Sequence, residues 1–409
     1  MFQTLFFLLL AQDTRTVTEP VIPKTCAVLL SAIPSPIRGQ DEAKSDTGRI
    51  QRALDKCPEG QSVELKPAGS NTAFLSGPLD LRKGVTLLID ANATLFGSRN
   101  ARDYDTSPGA CGVVNERGRG CRALITGDHV SGAAVMGDGT IDGRGPAKIL
   151  GEKVSWWDLA QEAKVKNLNQ SCPRIMVLNH CDNFTLYRIH LKDSGNFHVS
   201  YSNGNGFTAW GVMIDTPKAG RNTDGIDPAN STNVTITHCY IRAGDDNVAI
   251  KAGHGLPTRN ITVAHNHFYY GHGMSIGSET DGGADRILVT DLSIDGADNG
   301  IRIKSNSSRG GLVENVRYED VCIKDTKNPI YMDSNYSYMG AARDKLPTFR
   351  DITLSNVRIE GAGKITLEGY DAAHALGMNF DNVTIADPGA VKIVAEFAQL
   401  KFGPGPVNF

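Results

Sequence analysis

Six positions in the second half of the chain have side chains suited to acid–base chemistry on an anionic ligand: Asp224, Asp245, Asp246, His272, Arg302 and Lys304. Each sits in a short polar opening to a β-rich run. The runs are Asn222-Thr223-Asp224-Gly225-Ile226, Gly244-Asp245-Asp246-Asn247-Val248, Gly271-His272-Gly273-Met274 and Asn299-Gly300-Ile301-Arg302-Ile303-Lys304. A fifth run, Asn328-Pro329-Ile330-Tyr331-Met332-Asp333, follows. Aligning their first apolar residues, Ile226, Val248, Met274, Ile301 and Ile330, gives steps of 22, 26, 27 and 29 residues. Carboxylates crowded together repel, which spreads their pKa values so that one stays protonated while others are ionised. Glycoside hydrolysis needs that division, an acid for the leaving oxygen and a base for water. Clustered carboxylates also suit a calcium site, or an asparagine ladder carrying aspartate replacements. Arg302 and Lys304 beside the cluster count against calcium. They suit a substrate carboxylate, Arg302 through a two-pronged fork.

Such distant residues meet only if the chain is a repeat. Asn183-Phe184-Thr185-Leu186 recurs as Asn233-Val234-Thr235-Ile236 and Asn260-Ile261-Thr262-Val263, with weaker copies at Phe207, Ile287, Val316 and Ile352. From Phe184 to Val316 the steps are 23, 27, 27, 26 and 29 residues, and a period in the twenties indicates a solenoid. Short strands without intervening amphipathic helices predict an all-β, single-stranded right-handed parallel β-helix. Residues one coil apart then stack about 4.8 Å from each other. Alternate residues face outward, so the acids and bases should form one exposed patch over a core of Val248, Ile250, Ile276, Ile301 and Ile303. Asparagine at strand starts tolerates a left-handed backbone. That structural reading outweighs a glycosylation sequon at Asn233 and Asn260. One helix is expected, over about residues 45–57, capped by Asp46 or Thr47 and covering the open end of the solenoid.

The four polar motifs, in this order and at one-coil spacing, resemble family 28 of the glycoside hydrolases, the polygalacturonases. The resemblance is close over roughly residues 180–340 and loose elsewhere. It implies that Asp245 is the general acid, that Asp224 and Asp246 activate water, and that the anomeric configuration inverts. It further implies that His272 maintains the proton state of the carboxylates and that Asn222, Arg302, Lys304 and Tyr336 contact galacturonate. Tyr331 is a rival to Tyr336, because it shares a stacking column with Arg302. Lys251 faces outward and suits a neighbouring sugar, with a solvated lysine as the alternative. Gly253-His254-Gly255 also spells the histidine motif, but it lacks the strand that follows His272 and is read as a loop. No cofactor and no metal are expected.

With a net charge of −3, nothing global marks a nucleic-acid or membrane-surface binder, so the expected partner is pectin polysaccharide, held by a local basic cluster. Forty-four glycines and 7% aromatics suit a chain of many tight turns. Leu5 to Leu10 is too short to span a bilayer and resembles a signal-peptide core with cleavage after Ala11. Residues 1–20 are therefore expected to be a signal peptide and leader, and 21–409 a single secreted, monomeric catalytic domain. Cys26 with Cys57 and Cys111 with Cys121 are candidate disulfides, Cys172 with Cys181 a weaker third, and Cys239 and Cys322 buried thiols. Three rivals stay open: rhamnogalacturonan hydrolysis on the same fold, a calcium-dependent pectate lyase, and a non-catalytic pectin-binding solenoid.

Overall fold

The structure is a computed structural model that describes residues 12–336 and 344–408. The apolar segment expected to be a signal peptide lies outside the described residues. Residues that follow it lie on the solenoid surface: Asp13 donates its amide to Thr262 Oγ1 at 2.9 Å and accepts from Thr235 Oγ1 at 2.7 Å.

The chain winds into a right-handed parallel β-helix. Phe184, Phe207, Val234, Ile261, Ile287, Val316 and Ile352 are consecutive partners, one per coil, as the repeat predicts. All are buried, and the rings of Phe184 and Phe207 stack with centroids 6.1 Å apart. Burying one such side chain is worth about 1.5–3 kcal/mol, and every coil repeats it. Asn183, Asn233 and Asn260, each just before the ladder, have φ of 51°, 58° and 61°. Asparagine tolerates that backbone better than other residues with a Cβ.

A second parallel sheet, of eleven strands in chain order, runs from Leu79–Asp80 to Val391–Glu396 and carries the polar motifs. Ile226, Val248, Met274, Ile301 and Ile330 are consecutive partners across it, matching the alignment read from sequence.

The expected N-terminal helix spans Thr47–Lys56 and buries Ile50 and Leu54 against the first coils. Asp46 stands at its N-cap but makes no side-chain cap; its carboxylate takes the Leu75 amide at 2.9 Å and Arg49 Nε at 2.7 Å instead. A second helix, Trp156–Lys166, corrects the expectation of one. Ser155 and Asp158 form a reciprocal capping box there, a signal present in the sequence. Its buried Trp156 meets Tyr104 edge-on at 6.2 Å.

Cys26–Cys57 and Cys111–Cys121 are disulfides as expected. Cys172 and Cys181 are not joined, because the strand Met176–Asn179 runs extended between them and holds them apart. Cys322 is exposed rather than buried: Val321 and Ile323 point inward, so alternation turns it out. Cys239 is a buried thiol, as read.

Asn183 is exposed, so its backbone conformation can be tested without disturbing the core. Asn183→Ala should cost about 1 kcal/mol, because alanine resists the left-handed region, whereas Asn183→Gly should stay within a few tenths. Urea unfolding of both variants checks this, and equal losses would show that the side chain matters rather than the backbone.

Candidate active site

The site is built from three outward columns on the eleven-stranded sheet. Two residues before the aligned apolar positions stand Asp224, Asp246 and His272, one per coil. Backbone bonds tie this rim together, Gly225 N to Asp246 O at 2.9 Å and His272 N to Asp245 O at 2.9 Å. One residue after the apolar positions, Ala249, Ser275, Arg302 and Tyr331 are consecutive partners. Gly277 and Lys304 pair in the third column, to which Lys251 belongs on the coil before, paired in turn with Ala229.

The backbone is specialised to allow this. Gly273 has φ of 73°, and a Cβ there would collide with the carbonyls of Asn299 and Gly300. The buried side chain of Asn247 accepts the Gly273 amide at 2.9 Å and donates to Ile241 O at 2.9 Å, fixing the loop that presents His272.

The side chains are not an exposed patch, which corrects the sequence expectation. Asp224, Asp246, Arg302 and Lys304 are only 4, 2, 6 and 7% exposed. Opposite charges bury one another. Asp246 Oδ1 accepts from Ser275 Oγ at 2.7 Å and Arg302 Nη1 at 3.3 Å, and Oδ2 accepts from Lys304 Nζ at 2.9 Å. His272 Nδ1 lies 2.9 Å from Asp245 Oδ1. Asn222 Nδ2 reaches Asp245 Oδ2 at 3.5 Å, while its carbonyl accepts from Gln170 at 3.0 Å. Asp224 has no such neutralising contact: Lys251 Nζ is 3.7 Å away, and its buried Oδ1 has no hydrogen-bond partner.

These contacts split the carboxylates electrostatically. Burial pushes Asp224 up, and the neighbouring Asp227 and Asp245 push it further, so its pKa lies well above the usual carboxylate range. Burial also acts on Asp246, but Lys304, Arg302 and His272 outweigh it and hold Asp246 ionised. Asp245 is likewise lowered against burial, chiefly by its bond to His272. In return, burial opposes charge on His272, but Asp245 and then Asp246 raise its pKa. The surroundings thus favour the protonated form of Asp224 and of His272 and the ionised form of Asp245 and Asp246.

All the predicted catalytic residues converge here. Tyr336 and Tyr331 both face Arg302, with its guanidinium 5.4 and 5.6 Å from their rings, and Tyr336 also lies 5.6 Å from Lys304 Nζ. Lys251 is placed differently from the expected sugar contact. Its ammonium is committed to Asp227 at 2.7 Å, because that carboxylate is buried and needs a counter-charge. His254 is an exposed turn residue, as read. The sequence reading missed Asp227, Ser275, Asn247 and Asp298. The last of these lies 3.7 Å from His272 Nε2 and takes Lys218 and Lys327. Asp227 and Ser275 could have been found, since each is the next outward position in a strand already aligned.

Asp245, Asp246 and His272 bring ligand atoms within 4.8 Å of one another, close enough to grip a cation. Both oxygens of Asp246 already accept bonds from cationic side chains, and a divalent ion would face Arg302, Lys304 and His272 together. The donor set fits an anion better than a metal.

Comparison with known proteins gives the family and the fold. The model of glycosyl hydrolases family 28 matches residues 62–400. An endo-polygalacturonase of Pectobacterium carotovorum subsp. carotovorum is 45% identical over 384 residues, covering 94% of this chain and 92% of the relative. A polygalacturonase of Ralstonia nicotianae is 41% identical, covering 90% of this chain and 79% of the relative. Among solved structures, the polygalacturonase from Erwinia carotovora ssp. carotovora superposes with a TM-score of 0.89 at 44% identity, covering 95% of this chain and 100% of that one.

The charge split can be tested at one ring. The His272 imidazole should titrate above 6.5 in the wild type, because Asp245 stabilises its charged form. Asp245→Asn removes the first of its raising partners, so the titration should move to lower pH. Nitrogen-detected NMR of the labelled ring reads both, and an unmoved midpoint would show that Asp245 does not hold the proton on His272. By the same sign, the raised His272 contributes stability that is present below its unfolded pKa and lost as pH rises through the folded value.

Proposed function

The chain belongs to the glycosyl hydrolases of family 28, and from that premise we propose that it hydrolyses the α-1,4 bonds between galacturonic acid residues of polygalacturonate. The observation that carries this reading is one buried carboxylate, Asp246, pinned by Arg302 and Lys304 beside the hydrogen-bonded Asp245–His272 pair. Two cations on the floor of an acid–base site give a galacturonate carboxylate a place to bind within reach of the reacting groups.

The chemistry follows from that placement. A sugar carboxylate docking on Arg302 and Lys304 brings negative charge beside Asp245, which raises its pKa. Asp245 then takes the proton from His272 and delivers it to the glycosidic oxygen as that bond breaks. Asp246, held ionised by its cations, accepts a proton from the attacking water. Asp224, protonated and one coil away, orients that water by donating or accepting as needed. The water oxygen joins the anomeric carbon from the face opposite the leaving group, so the configuration inverts. Tyr336 packs over both cations and shields the carboxylate contact from solvent.

Cleavage within the polymer, rather than from its ends, is the mode we propose, because the Pectobacterium relatives that span 94% of this chain are named endo-polygalacturonases. Secretion is proposed on two disulfides, which persist in oxidising compartments, and on a polymeric substrate that lies outside cells.

Two measurements test this. Time-resolved sizing of products should show early loss of long chains with a spread of oligomers; monomer or dimer appearing alone from the start would mean cutting from an end. Asp245→Asn should fold and lose roughly 10²–10⁴-fold in turnover. His272→Ala should also be severe, while His254→Ala, on an exposed turn, should stay near wild type. A severe His254 variant beside an active His272 variant would place the site on the wrong motif.

A further inference from the structure

Arg174 is charged, half-buried and without a counter-ion. It stands two residues before Met176, whose register partners on the next coils are Val199 and Ile226. The same offset on those coils gives Phe197 and Asp224. Arg174 and Phe197 are thus the two preceding steps of the stack that continues into Asp224, Asp246 and His272.

The contacts of Arg174 are all to neutral groups. Its Nε is 3.4 Å from Asn196 Oδ1, its Nη1 is 3.2 Å from Ser200 Oγ, and its guanidinium lies over the Phe197 ring at 4.6 Å. Among the described residues no carboxylate comes within ion-pair distance of it, and Nη2 has no hydrogen-bond partner. Arg99 and Arg144, also half-buried, share Glu42 at 2.9 and 2.6 Å. Lys251, on the same Phe197 ring at 4.5 Å, is satisfied by Asp227.

Burial lowers the pKa of Arg174, Asp227 and Asp224 raise it in part, and Arg119 opposes it again. Asp227 and Asp224 thus attract Arg174 from beyond contact distance, and no direct ion pair offsets the burial of its charge.

We propose that Arg174, with Phe197 as an apolar platform, binds the carboxylate of a second galacturonate residue of the same polymer, on the Asp224 side of the cleaved bond. This rests on the polygalacturonate reading above. Arg174 stands five coils before Arg302, about 24 Å at the strand spacing, so the two carboxylate readers flank the acids and are bridged by several sugars. Occupancy of this subsite adds affinity from sugars that do not react, which fixes the chain in register over Asp245 and Asp246.

The test is steady-state kinetics on a ladder of purified oligogalacturonates and on polygalacturonate, for wild type, Arg174→Gln and Arg174→Lys. Arg174→Gln should raise KM about 10–150-fold on chains long enough to span both readers, the range for one charge-assisted contact. The loss should shrink as the oligomer shortens, with kcat affected far less than KM. Arg174→Lys should recover part of the affinity, because it keeps the charge but not the fork. A loss equal on all lengths and seated in kcat would mean that Arg174 acts on Asp224 instead, and overturns the inference. Unchanged KM in a folded Arg174→Gln overturns it too, while leaving the hydrolase reading intact. Wild type that fails to cut any oligogalacturonate would remove both.

Discussion

Everything in this protein depends on the parallel backbone ladder that holds successive coils about 4.8 Å apart. That spacing is close to the reach of a salt bridge, so side chains at one register position on adjacent coils must interact. On the inner faces the result is a continuous stack of Ile, Val and Phe. At the edge of the eleven-stranded sheet it puts Asp224, Asp246 and His272 on adjacent coils although they are 22 and 26 residues apart. A fold with less regular connections would need separate loops to bring these groups together.

Stacked carboxylates would destabilise the sheet without compensation, and the compensation defines the chemistry. Lysine and arginine do not sit beside the acids at random. Lys304 and Arg302 reach back onto Asp246, and Lys251 reaches back onto Asp227, each satisfying a buried charge. Asp224 is left with the weakest counter-charge and a raised pKa, and Asp245 shares its proton economy with His272. The unequal distribution of cations thus converts a row of similar residues into groups with different protonation states.

Much of this was legible in the sequence. The seven-member apolar ladder and the alignment of Ile226 with Val248, Met274, Ile301 and Ile330 follow from period alone, because strand register leaves no freedom once one position is fixed. Asn183, Asn233 and Asn260 marked their turns because few other residues take that backbone. What the sequence hid was burial. Alternation says that Arg302 and Lys304 point away from the core, but not that mutual neutralisation with Asp246 lets them pack out of water. The Lys251 contact was missed for the same reason: its partner Asp227 was not counted among the acids. The helix Trp156–Lys166 does not register in the strand period, and its signal lies in the Ser155–Asp158 capping box alone. Cys322 was misplaced because an apolar run was read as uniformly inward.

The central claim is that Asp245 protonates the leaving oxygen while water, held by Asp224 and Asp246, attacks from the opposite face. Proton NMR during the first moments of polygalacturonate cleavage, before the new reducing ends mutarotate, tests it most directly. The account predicts that the first new anomeric signal is β, the inverse of the α bond that was cut. An α signal appearing first would require a covalent sugar on one of these aspartates, and would contradict the roles given to them.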